Sequence, residues 1–145
     1  MQITPLNDLS LIQETGALAA ALGFECYAVG GCVRDWSMGR PSADVDFLLG
    51  GDTAPVAEGL VKKYGGAFTR FDKFLTIRVF LEGGRRVDLA RFRKEVYARP
   101  AALPEVSAAG SAGEDLKRRD FSVNAMAVAI LPDSFGTVLD PFGGL

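Results

Sequence analysis

The chain has 145 residues, 48% of them hydrophobic and 23% charged, with a formal net charge of −2. Those proportions fit one globular domain with a sizeable core and exclude a disordered chain. The slightly acidic balance leaves two options: nucleic acid is not the partner, or most of the surface that binds it lies outside this sequence. There is no histidine. Histidine triads and histidine-ligated metals are thereby excluded, so any catalysis must run on carboxylates, arginine, lysine, hydroxyls or a bound metal. No apolar run approaches the ~18 residues a membrane span needs. The start, MQITPLNDLSLIQE, lacks the basic and apolar regions of a signal peptide. Cys26 and Cys32 have neither CxxC spacing nor histidine partners, so reduced thiols and a cytoplasmic location without membrane partners are expected.

In chain order, Leu9, Ile12, Leu18 and Leu22 recur near helical spacing, and Gly23 ends that helix. Phe24 to Val29 reads as a short strand ending at Gly30-Gly31, and Cys32 to Met38 as a short helix closed by Gly39 and Pro41. Ala43 to Leu49 is a second strand. Thr53 to Tyr64 is a helix with Pro55 in its first turn. Phe74 to Leu81 alternates, with Leu75, Ile77, Val79 and Leu81 on one face. Glu82 to Arg85 is a turn, and Arg86 to Phe92 returns as a strand carrying Asp88 on the face opposite Val87 and Leu89. Lys94 to Gly113, rich in Ala, Pro, Ser and Gly, reads as a long loop. Glu114 to Ile130 reads as a helix, after which no further helix or strand is expected.

The chemistry-bearing residues fall into three groups. Asp44 and Asp46 stand two residues apart on a strand, so both side chains point to one face. Two adjacent carboxylates repel unless a cation lies between them, and hard oxygen ligands suit Mg²⁺ completed by substrate phosphates. Taken alone, a DxD is also an ordinary solvated strand edge. The flanking Val45, Phe47, Leu48 and Leu49 make the strand a buried one and favour the cation. Thirteen residues upstream of Asp44, Gly31 closes the Gly30-Gly31 pair, which lets backbone N–H groups approach a phosphate; Arg34 adds a guanidinium. By itself the pair is equally a tight turn, and neither GxxxxGK[ST] nor GxGxxG is present. Lys117-Arg118-Arg119-Asp120 precedes Asn124, an amide inside the apolar run FSVNAMAVAI that needs a partner. Asp88 is a third strand-borne carboxylate.

Together, Gly30-Gly31-Cys32-Val33-Arg34-Asp35 with Asp44-Val45-Asp46, then Arg118-Arg119-Asp120-Phe121-Ser122-Val123-Asn124-Ala125, then Asp140-Pro141-Phe142-Gly143-Gly144 resemble a known pattern. It is that of the N-terminal catalytic head of class II tRNA nucleotidyltransferases (CCA-adding enzymes) and bacterial poly(A) polymerases. The Arg93-x-Glu95-x-Tyr97 stretch is similar to the start of that family's flexible loop. The resemblance implies an α/β (α+β) polymerase-beta-like head with a small mixed or antiparallel sheet flanked by helices. It implies template-independent transfer of CMP or AMP from CTP or ATP to a tRNA or other RNA 3′ end by two-metal catalysis, with two Mg²⁺ ions held by Asp44 and Asp46. Gly30, Gly31, Arg34 and Arg119 would contact the nucleotide, with Asp120 and Asn124 as ribose-side or structural contacts. Asp88 would be a third catalytic carboxylate or a tether for arginines such as Arg86. Residues 1–145 would be the head alone, without the family's helical neck, body and tail, where the base is chosen. Poly(A) addition and a non-catalytic nucleotide-binding module of the same fold are the alternatives.

Overall fold

A computed structural model describes residues 2–42, 44–71, 75–96, 105–108 and 126–139. Helix α1, Leu9–Ala21, is built from strong helix formers. It buries Leu11, Ile12, Thr15, Gly16 and Ala19. Leu9 and Leu22, expected on its apolar side, are instead 42% exposed. Strand β1, Cys26–Val29, leads through Gly30 into α2, Gly31–Ser37. Strand β2, Val45–Leu49, carries Asp46, while Asp44 stands one residue before it and Ala43 lies outside the described residues. Helix α3, Ala54–Tyr64, follows with Pro55 in its first turn, as expected.

Next comes β3, Gly66–Phe71, which the sequence did not announce because its residues are almost all exposed and show no alternation. Strands β4, Thr76–Leu81, and β5, Arg85–Arg91, flank the expected turn. The expected long loop contains two paired strands, β6, Arg93–Val96, and β7, Glu105–Ala108. Each is four residues long, too short to show a period; the rest of that loop lies outside the described residues. The expected helix to Ile130 is overturned at its end. Ala127–Ala129 is strand β8, and Val138–Leu139 forms β9 beside it, so a strand does follow. Met126 to Ile130 is buried on all sides, and periodicity does not separate such a run from a buried helix.

The main sheet runs β3-β4-β5-β2-β1-β8-β9. It is mixed: β2 and β5 are parallel, and the other pairs are antiparallel. All three helices cover one face. There Val45, Phe47, Leu49, Val79, Val87 and Leu89 pack with Ile12, Val33, Trp36, Val56 and Leu60. Among the described residues the other face carries a small apolar patch of Val29, Leu48, Phe92 and Ala127. Asp46 shares that face with Leu48 by the two-residue period of the strand. Among the described residues no helix is long and apolar enough to cross a membrane.

Both cysteines are buried free thiols, Cys26 in β1 and Cys32 in α2. Burial pushes the Cys32 thiol up to about 12 and raises Cys26 further in the same direction. In the unfolded chain these thiols ionise near 9.0, the ordinary value. Folding is therefore favoured in full below that pH, and the contribution is lost as pH rises through the folded-state values. We expect the urea midpoint to fall between pH 8.5 and about 11, and less steeply in a Cys26→Ala/Cys32→Ala variant. An equal slope in both proteins would contradict the assignment.

Candidate active site

The site forms where β1, α2 and β2 meet. Gly30 turns the chain with φ 79°, a conformation glycine adopts without penalty. A Cβ there would stand 3.4 Å from Asp46 Oδ2, so backbone and carboxylate are nearly in contact. The turn places Gly31, Cys32, Arg34 and Asp35 around a cavity of about 300 Å³ that Ser42, Asp44 and Asp46 complete. Glycine pair, arginine and both aspartates are thus in one place, as the sequence suggested. The buried Cys32 is anchored by its Sγ–H donating to the Val29 carbonyl at 3.2 Å.

Asp44 is positioned by a clamp with no motif to announce it. Asn7 Nδ2 donates to the Ser42 carbonyl at 2.8 Å, and Asn7 Oδ1 accepts from the Ser42 amide at 2.8 Å and from Trp36 Nε1 at 3.0 Å. Ser42 Oγ in turn donates to the Asp44 carbonyl at 3.0 Å. The only sequence hint was Trp36, whose indole N–H needs a partner when buried.

Asp46 and Asp88 are direct neighbours across the parallel β2–β5 pair. Asp88 does not tether Arg86. It accepts from Arg78 Nε at 2.9 Å and Nη2 at 3.3 Å, a two-point pair from the facing position on β4. Arg86 instead donates to Asp44 Oδ2 at 3.0 Å. These hydrogen bonds with Asp88 raise the Arg78 pKa above its ordinary value, with the charges of Asp46 and Asp44 adding to the effect. The three carboxylates and Arg78 therefore share one electrostatic cluster. Arg34 rests on Asp35 at a long 3.5 Å. With Arg34 this exposed, that contact is weak and readily exchanged for a phosphate. Arg119, Asp120 and Asn124 lie outside the described residues.

The donor set fits a hard divalent cation. Asp44 and Asp46 offer carboxylate oxygens at one cavity, and no cluster of three or more metal-ligating side chains occurs among the described residues. Mg²⁺ takes one or two carboxylates, keeps waters and completes its shell with substrate phosphates, whereas a structural zinc site needs four protein ligands.

A mixed sheet with helices on one face, and an aspartate pair beside a glycine turn on the other, defines a class. The profile of the poly A polymerase head domain matches residues 26–145, and the chain belongs to that family. Over its whole length it is similar to particular enzymes. It is 37% identical over 145 residues to an A-adding tRNA nucleotidyltransferase of Halalkalibacterium halodurans, covering 99% of this chain and 34% of the relative. It is 36% identical over 140 residues to a CC-adding tRNA nucleotidyltransferase of Deinococcus radiodurans, covering 97% of this chain and 35% of the relative. A solved CCA-adding enzyme in an apo form superposes with a TM-score of 0.87 at 35% identity, covering 99% of this chain and 36% of that one. The chain thus spans about a third of the length of these relatives.

Proposed function

We propose that this chain is the catalytic head of a template-independent nucleotidyltransferase, cytoplasmic, that moves CMP or AMP from CTP or ATP to the 3′ end of a tRNA. The observation that carries the reading is the cavity shared by Gly31, Arg34, Asp44 and Asp46. The relatives' names, A-adding and CC-adding tRNA nucleotidyltransferase, favour tRNA over a poly(A) tail as the acceptor.

In this reading Asp44 and Asp46 hold Mg²⁺. When bound, the metal lowers the pKa of the attacking 3′-hydroxyl and neutralises charge on the triphosphate. The chain's own groups do the rest. Gly30 and Gly31 leave room for phosphate oxygens against the backbone, and Arg34 turns from Asp35 to grip them. The 3′-hydroxyl gives its proton to solvent water as its oxygen attacks the α-phosphorus, the bond from that phosphorus to the bridging oxygen breaks, and pyrophosphate leaves. Asp88, next to Asp46, is the third carboxylate, and its two-point pair with Arg78 fixes its orientation. By the motif match, Arg119, Asp120 and Asn124 contact the nucleotide. Base choice falls to the helical neck, body and tail that the relatives' greater length accommodates.

The test is incubation with tRNA lacking its 3′-terminal nucleotides, labelled CTP or ATP, and Mg²⁺. The reading predicts Mg²⁺-dependent label at the 3′ end, with little ordered CCA synthesis by residues 1–145 alone. Magnesium-independent incorporation would contradict the metal role. Efficient, ordered CCA addition by the 145 residues would contradict the placement of base choice elsewhere.

A further inference from the structure

Among the described residues, the sheet face away from the helices continues past the carboxylates. Asp44 is bonded to Arg86, and Arg86 pairs with Phe80 across β5 and β4. Phe80 therefore stands two strands from Asp44, about 10 Å at the usual strand spacing. Two residues along β4 on the same face is Arg78, and its guanidinium lies 6.0 Å from the ring centre of Phe71 on β3. Both rings are open to solvent, Phe80 at 49% and Phe71 at 41% exposure. On the β3–β4 pair Phe80 faces Ala67 and Phe71 faces Thr76, both short side chains. Phe80, on the opposite face of β4 from Val79 and Leu81, adds nothing to the core those two residues build.

The direction of approach gives these rings a partner. The triphosphate groups, Gly31 and Arg34, lie on the β1 side of the aspartates, whereas β5, β4 and β3 form the opposite flank. An RNA strand that puts its 3′-hydroxyl at Asp44 and Asp46 has its preceding nucleotides on that flank. Unpaired bases stack on aromatic rings whatever their sequence, and arginines set among the rings add cation–π and phosphate contacts. We infer that Phe80, with Arg78 and Phe71 beyond it, is a stacking platform for the last unpaired nucleotides of the acceptor RNA. This rests on the transfer reading and extends it to the path of the strand. Phe80 has no hydrogen-bonding group, so it positions a base without reading it.

The test is fluorescence anisotropy of a 5′-labelled single-stranded RNA hexamer with the 145-residue protein, with and without Mg²⁺. The proteins are wild type, Phe80→Ala, Phe80→Trp and, as an exposed apolar control on the far side, Leu22→Ala. All four should melt alike. Phe80→Ala should weaken hexamer binding about tenfold, within what one base–aromatic stack contributes. Phe80→Trp should keep it, Leu22→Ala should not change it, and Mg²⁺-dependent CTP binding should be the same in all. A blunt duplex should be indifferent to Phe80. The inference is overturned if wild type does not bind the hexamer, if Phe80→Ala binds it as wild type does, if duplex binding falls equally, or if CTP binding is lost with the ring. If wild type binds no CTP with Mg²⁺, the transfer reading itself fails, so the two failures are distinguishable.

Discussion

Replacing Asp46 with Asn should lower nucleotidyl transfer by about 10³-fold or more, while the melting temperature stays within a few degrees of wild type. The rate follows from losing a metal ligand whose charge stabilisation is worth several kcal/mol, each ~1.4 kcal/mol being a factor of ten. The unchanged fold follows from the surroundings. Asp46 lies beside Asp88 across the parallel pair and close to Asp44, so the native protein holds three negative charges together. Arg78 pairs with Asp88, and Arg86 with Asp44. Removing one charge relieves repulsion and leaves an amide of the same shape. Asp44→Asn should act alike on transfer and should also release Arg86. Steady-state kinetics with thermal melts of the same preparations check both points. Retained transfer in either variant contradicts the metal assignment, and a collapsed melt contradicts the electrostatic account.

Phe47→Ala, one residue along, should do the opposite. Phe47 is fully buried on the helix-covered face of β2, whose neighbours on either side are β5 and β1. Its removal leaves a cavity between the sheet and its helices that no exposed side chain can fill. Phe→Ala in such a core costs about 3–5 kcal/mol, a large share of the ~5–15 kcal/mol that holds a domain of this size. The midpoint of thermal unfolding should fall by roughly 10 °C. Circular dichroism melts measure it, and a fall under about 3 °C would place Phe47 outside the core. Nucleotide binding below the new midpoint should persist, because Asp44, Asp46 and Arg34 remain. Adjacent residues of one strand thus divide the labour: Val45, Phe47 and Leu49 build the core, and Asp46 faces the cavity.

That alternation is also why this half of the candidate site was legible in the sequence. A strand ending at Gly30-Gly31 and a buried strand carrying Asp44 and Asp46 are local patterns, and the short connection between them brings them into one cavity. The turn at Glu82 to Gly84 was equally plain, and it held more than the sequence reading took from it. Pairing Leu81 with Arg85 and counting outward puts Phe80 opposite Arg86 and Arg78 opposite Asp88. The register alone would have assigned Asp88 to Arg78 rather than to Arg86.

What the sequence concealed was contact between distant segments. Asn7 fixes the loop before Asp44 from 35 residues away, as its bonds to Ser42 show. Gly16 of α1 sits so close to the Ile130 carbonyl that a Cβ would collide with it, a contact that appears only when α1 meets β8. Strand β8 escaped notice because a three-residue strand buried on both faces has no period and its apolar run continued a helical pattern, and β9 because it has only two residues. Strand β3 escaped for the opposite reason, being exposed, without alternation and at the sheet edge.

Asp44 and Asp46 are proposed to bind a nucleotide through a divalent cation. Calorimetric titration of CTP into the 145-residue protein, with Mg²⁺ and then with EDTA, tests it most directly when repeated on Asp46→Asn. The account predicts binding by wild type in Mg²⁺, none or at least tenfold weaker binding in EDTA, and the same loss in Asp46→Asn under both conditions. Equal affinity with and without the metal, or an Asp46→Asn protein that still binds as wild type does, would contradict it.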